Sequence, residues 1–181
     1  MGFIFHLKKL KLHFSFWRVY FGCAQSAGVP VAILKGLRMG LFTGKTVIVT
    51  GGGKATLKDG SAGSIGYGID IAFAKEGANL VITGRNVAKL EAAKESLEAE
   101  YGVKVLPVQA DVSAGQDNEA VVQNVIDKAI EEFGRIDAVV NNAQASASGV
   151  TIADHTMDQF NLAIYSGLYA PTCTCRRPIR T

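Results

Sequence analysis

Between residues 39 and 170 the chain has no cysteine; Cys23, Cys173 and Cys175 all stand in its two ends. That excludes a disulfide-built core for the middle and suits a reducing compartment. Acidic residues are missing from both ends: residues 1–38 hold six Lys and Arg and residues 171–181 hold three, with no Asp or Glu in either. The middle carries ten basic residues against sixteen acidic, a net charge of −6, so the overall charge of +3 conceals an acidic folded part. No basic stripe for nucleic acid exists there. Low-complexity tracts and internal repeats are absent as well. The spacing of Cys173 and Cys175 lacks His or Cys partners nearby, and reads as two incidental thiols rather than a metal clip.

The first 38 residues place Phe3, Leu7, Leu10, Phe14, Trp17 and Phe21 at helical spacing, with Lys8, Lys9, Lys11 and Arg18 between them. Three readings stand. A basic amphipathic helix could lie on an anionic membrane surface. A secretory leader would have its small residues near 23–27. Translation from Met39 would leave residues 1–38 outside the fold, and this last reading is preferred. A transmembrane span is not expected, because the charge-free run after Arg18 is broken by Gln25, Ser26, Gly28 and Pro30.

The middle alternates strands with helices. Residues 45–50 (KTVIVT), 79–84 (NLVITG), 103–111 (VKVLPVQAD) and 135–143 (RIDAVVNNA) read as apolar, β-branched strands. Helices are expected after Ser64 to Gly77, from Asn86 to Gly102, and from Asp117 to Gly134. A final helix runs through Phe160, Leu162, Ile164 and Leu168, opened by a capping box of Thr156 and Gln159. Strands apolar throughout and separated by helices predict an α/β fold with a parallel sheet covered on both faces. Ligands bind such sheets at the carboxyl ends of the strands.

A glycine-rich segment, TGGGKATLKDGSAGSIGYG, links the first strand to the first helix. Glycine permits a sharp turn and close approach to a pyrophosphate, and the helix N-terminus supplies unpaired N–H groups. No Gly-Lys-Ser/Thr stands at the helix start, so this is no triphosphate loop. Thr50-Gly51-Gly52, Ser64-Ile65-Gly66, Asp111-Val112 and Asn141-Asn142-Ala143 follow in order at the ends of successive strands. Over residues 39–170 the chain thereby resembles the short-chain dehydrogenase/reductase family. The resemblance implies a Rossmann-like doubly wound parallel sheet, here of about four strands. It also implies that Gly51, Gly52, Ser64, Ile65 and Gly66 lie against the phosphates of a dinucleotide. Asp111 and Val112 would hold the adenine, and Asn141 and Ala143 the nicotinamide side. Asp111 could equally start a turn.

At the end of the second strand stands Arg85 with no acid beside it, which predicts NADP(H) rather than NAD(H); the alternative is a solvated helix-start residue. Several positions depart from the family pattern. The glycine loop is longer by about nine residues, Asp70 replaces a small apolar residue, and Gln144 replaces a glycine. Lys54 and Lys58 fit a solvated loop better than a phosphate contact. In the family a Ser and a Tyr-x-x-x-Lys carry proton transfer during hydride exchange with a carbonyl or alcohol. No such arrangement occurs in the 181 residues, and no catalytic residue is assigned.

The expectation is therefore an NADP-dependent oxidoreductase of this type in a truncated, cytoplasmic form, with a small-molecule substrate and no nucleic-acid or membrane partner. Intact family members are expected to be homo-oligomers. Residues 171–181 read as an out-of-frame tail, because back-translation shifted by one base permits an apolar helical continuation; the rival is a basic interaction arm. A non-catalytic dinucleotide-binding module and a membrane-surface protein are the alternative functions.

Overall fold

The computed structural model describes residues 40–58 and 63–176. The amphipathic segment and the start at Met39 proposed for the N-terminal end lie outside these residues. Four parallel strands form one sheet: β1 (Thr46–Thr50), β2 (Asn79–Gly84), β3 (Val105–Gln109) and β4 (Ala138–Val140), in the order β3-β2-β1-β4. β1 pairs with β2 from Thr46↔Asn79 to Thr50↔Thr83, and with β4 through Ile48↔Val139. The order reverses between β1 and β4, which opens a crevice beyond their carboxyl ends.

Alternation along the strands divides the core in two. Val47 and Val49 of β1, with Leu80 and Ile82 of β2, pack under α1 (Ile65–Lys75) and α2 (Val87–Tyr101). Ile48, Val81 and Val108 point the other way, toward Val125 and Ala129 of α3 (Asn118–Phe133). Both faces of the sheet are thus covered, as apolar strands without polar alternation require. The helices α2 and α3 close at Gly102 and Gly134, whose φ of 67° and 72° place them in the left-handed region that glycine enters without strain. At the amino end of the sheet, Asp137 Oδ2 accepts from Thr46 N at 2.8 Å and from Arg135 Nε at 2.9 Å, tying β4 to β1. The hydrogen bonds from Arg135 hold the Asp137 carboxyl below its usual range against a smaller opposing effect of burial.

The capping box at Thr156 and Gln159 is present and opens α4 (Met157–Ile164). A π-helical turn, Tyr165–Tyr169, follows, and the helix then continues as α5 (Ala170–Arg176), beyond the change of composition at Ala170. Pro171 explains the wide turn. It has no N–H to donate and its ring crowds the preceding turn, and the chain answers by lengthening the bonding to Ala170 N–H→Tyr165 O. Ala170 and Cys173 are buried, and α5 packs on α3. No helix among the described residues is long and apolar enough to cross a membrane.

Candidate functional site

The carboxyl end of β1 carries the hub of the site. Thr50 Oγ1 accepts from the backbone N–H groups of Asn142 and Ala143, both at 3.0 Å, and donates to Val140 O at 3.3 Å. Asn142 Nδ2 returns a bond of 2.8 Å to Thr50 O. Four hydrogen bonds thus hold the exit of β4 against the exit of β1. Replacing Thr50 by valine keeps the shape but strands the Ala143 N–H, while the Asn142 N–H keeps its bond to Val140 O, and is expected to lower stability by about 1–2 kcal/mol; serine should retain most of it. Urea denaturation of the two variants checks this, and equal midpoints would refute it.

Beyond Thr50 the glycine loop is pinned to β2. Gly51 N and Gly52 N both donate to Thr83 O, at 2.8 and 3.1 Å. Their N–H groups are therefore engaged within the protein, and their contribution to a ligand is shape. Ser64 caps α1: its Oγ accepts from Tyr67 N at 3.4 Å and its carbonyl from Gly68 N at 3.1 Å. The first helical N–H groups, those of Ile65 and Gly66, precede any intrahelical partner and are the donors this cradle can offer. Gly66 is where the loop and the helix meet, since a Cβ built on it would stand 2.1 Å from Gly51 O. Ile65 is 78% exposed at the helix entrance.

A cleft of about 280 Å³ lies along the carboxyl ends of β2, β1 and β4. Of the residues expected to bind a ligand, Gly51, Arg85, Asp111, Val112 and Ala143 line it. Gly52 and Gly66 are buried behind its wall. Asn141 is not on the cleft: its Oδ1 accepts from Thr174 Oγ1 of α5 at 3.1 Å, whereas its neighbour Asn142 does line it. Asp111 does start a turn, accepting from Ser113 N and Oγ at 2.9 and 2.6 Å, while also bordering the cleft. Partial burial opposes its ionisation, but the Ser113 hydrogen bonds and the Arg85 charge prevail and hold its carboxyl below the usual range.

Other residues of the site carry no short motif. Gln144 and Ala145 line the cleft, and Ser166, fully buried in the π-helical turn, clasps Ala145 by both backbone groups: Ala145 N donates to its Oγ at 2.9 Å, and the Oγ lies 3.1 Å from Ala145 O. Asn118, at the start of α3, donates to Tyr165 O at 3.0 Å and fixes the same turn from the other side. Lys54 turns away from any ligand, since its Nζ donates to Ser96 Oγ of α2 at 2.6 Å.

Comparison with known proteins follows the same outline. A family model described as enoyl-(acyl carrier protein) reductase matches residues 60–180. Over 132 residues the chain is 58% identical to the 12alpha-hydroxysteroid dehydrogenase of a Clostridium species, covering 73% of this chain and 48% of that protein. It is 31% identical over 140 residues to 3beta-hydroxysteroid dehydrogenase 2 of Eggerthella lenta, covering 77% and 48%. Among solved structures, the L-sorbose reductase of Gluconobacter frateurii complexed with NADPH and L-sorbose superposes with a TM-score of 0.63 at 30% identity, over 76% of this chain and 47% of that one. An NAD+-bound xylitol dehydrogenase superposes with the same TM-score, 0.63, at 26% identity, over 75% and 47%. The chain spans about half the length of the curated relatives it matches. With the match running from the glycine loop through the cleft to the last described helix, this chain belongs to the short-chain dehydrogenase/reductase family.

Proposed function

We propose that residues 40–176 are the NADP(H)-binding part of an oxidoreductase that exchanges hydride with a carbonyl or alcohol group of a small molecule. The observation that carries this reading is the cleft at the reversal of strand order, walled by glycine backbone and flanked by Arg85. A dinucleotide suits the residues present. Gly66 leaves no room for a Cβ beside the Gly51 carbonyl, so the start of the helix closes directly onto the glycine turn, the packing a dinucleotide loop requires of that position. β2 ends in Gly84 and Arg85 without a carboxylate, which supports a 2′-phosphate over a free ribose hydroxyl. Gln109 Nε2 donates to Arg85 O at 3.1 Å and steadies the backbone from which that guanidinium extends. When bound, the nicotinamide supplies or accepts the hydride.

The 58% identical relative named a 12alpha-hydroxysteroid dehydrogenase supports a steroid hydroxyl, or its ketone, as the substrate group. The cysteine-free, acidic middle supports a cytoplasmic location. Met157, Phe160, Ile164 and Leu168 form an exposed apolar line along α4 and the π-helical turn, which supports a homo-oligomer. The 181 residues contain no Tyr-x-x-x-Lys arrangement, so the residues present account for cofactor binding and not for proton transfer.

Calorimetric titration with NADPH and NADH tests the proposal. NADPH should bind at least about tenfold more tightly, and Arg85→Ala should weaken NADPH about tenfold while leaving NADH within about twofold. Tighter binding of NADH by the unaltered protein would overturn the cofactor assignment.

A further inference from the structure

Beneath the glycine loop sits a carboxyl group that the fold does not need. Asp70, in the second turn of α1, is 0% exposed, and neither of its oxygens has a hydrogen-bond partner. It lies against Gly52: a Cβ built on that glycine would stand 2.5 Å from Asp70 Oδ2 and 3.1 Å from Oδ1. Gly52 is the buried floor of the loop, fastened to Thr83 O on its other side. The carboxyl group therefore lies against the glycine loop, at a residue next in sequence to Gly51, which lines the cleft.

Nothing around it compensates a charge. α1 packs on β1, β2 and α2. The two strands carry no ionisable side chain. α2 turns Leu90, Ala93 and Leu97 into this layer; its Lys89 is exposed and its Lys94 half-buried. In the loop, Lys54 is committed to Ser96. On α1 itself the nearest ionisable side chains are Tyr67, buried one turn earlier, and Lys75, exposed at the far end. None of these charges moves the Asp70 carboxyl, which burial alone pushes up to about 8. A buried carboxyl without a partner is tolerated as the neutral acid.

We propose that Asp70 is a proton-linked element under the phosphate cradle: the protein binds its dinucleotide with Asp70 protonated, and loss of that proton weakens binding. The inference rests on the cofactor reading above. Its physics is direct. A carboxylate at this place adds a negative charge, in a medium of low dielectric constant, behind the loop that must accept an anionic pyrophosphate. The same repulsion makes the bound dinucleotide raise the proton affinity of Asp70, so binding near pH 8 takes up a proton. Affinity is then insensitive to Asp70 well below pH 8 and falls as pH rises through it.

Titrating the full chain with NADPH between pH 6 and 9.5, beside Asp70→Asn, tests this. The unaltered protein should lose about tenfold in affinity from pH 7 to 9 relative to Asp70→Asn, which keeps the size of the side chain and cannot ionise. Calorimetry at pH 8 in two buffers of different ionisation heat should show uptake of up to about half a proton by the unaltered protein, and none attributable to this site in the variant. Asp70→Ala repeats the comparison if the asparagine variant folds poorly. Parallel pH profiles, or equal proton uptake, overturn the coupling while leaving the cofactor reading intact. Absence of NADPH binding by the unaltered protein and the variants at every pH overturns both.

Discussion

The Gly66→Ala substitution is expected to cost about 3 kcal/mol of stability and to abolish dinucleotide binding. A single methyl group does this because of where it points. Built on Gly66, it would meet Gly51 O at 2.1 Å, Gly51 C at 2.7 Å and Asn142 Nδ2 at 2.8 Å. Two of these three atoms are backbone, and that backbone is fixed by the Gly51 N–H→Thr83 O bond. The third belongs to the side chain that clamps Thr50. No far end of a flexible side chain can swing aside. The helix must retreat from the loop, and the N–H groups of Ile65 and Gly66 retreat with it. Gly102→Ala is the matched control. It stands at φ 67° with nothing within 4 Å, so it meets strain without collision and should cost about 1–2 kcal/mol. Urea denaturation and NADPH titration of both variants decide the matter. Equal midpoints for the two would refute the steric account.

Removing the Asp70 carboxyl should have the opposite sign. Asp70→Ala is expected to stabilise the protein at pH 7 by about 2–4 kcal/mol, after the small cavity it leaves is counted. In the unfolded chain this carboxyl ionises near 3.8, whereas burial in the folded protein lets it keep its proton to about 8. Below about pH 4 both states are protonated and the residue adds no pH dependence. Between about 4 and 8 the unfolded chain has released a proton that the folded protein still holds. Stability therefore falls with rising pH, by about 1.4 kcal/mol per unit. Above about 8 both states are ionised and the dependence ends. Asp111 and Asp137 act in the other direction at acid pH. Their carboxyls are held low in the fold, so the stability they contribute is lost as pH falls through their folded values. Subtracting the Asp70→Ala curve from that of the unaltered protein isolates the Asp70 slope. Stability measured at pH 5, 7 and 9 with parallel curves for the two proteins would refute the prediction.

What the sequence showed and what it hid divide along a physical line. The strands were legible because residues such as Val47, Ile48 and Val49 are apolar in succession, and only a strand buried on both faces tolerates that. Helix ends were legible because Asn86, Thr156, Gly102 and Gly134 act within a few residues of themselves. The glycine loop and Arg85 were legible as a motif in order. Thr50 was visible in that motif, but its role was not, since its partners Asn142 and Ala143 are 92 and 93 positions away. Ser166 was silent for the same reason: a serine inside an apolar helix announces nothing until Ala145 is found beside it. Asn141 and Asn142 are equivalent in the sequence until the strand exit turns Asn142 into the cleft. The helix through Cys173 was masked by Pro171 and by charge. It packs regardless, because burial against α3 overrides local propensity.

The extended glycine loop has a consequence for chain entropy. Ser64 Oγ donates to Gly53 O at 3.3 Å, so the residues on either side of the extra segment meet as if they were consecutive. Gly63 N donates to Ala55 O at 2.6 Å and closes the segment at its neck. Lys54, through its backbone bond to Lys89 O and its ammonium on Ser96, anchors one side of that neck to α2. Bonds at the neck of the extra segment thus close it outside the cradle. Lengthening such a loop twofold opposes folding by only about 0.6 kcal/mol. The cradle geometry is insulated from the length of the segment inserted into it, and chains of quite different loop length can present the same N–H groups to the same ligand.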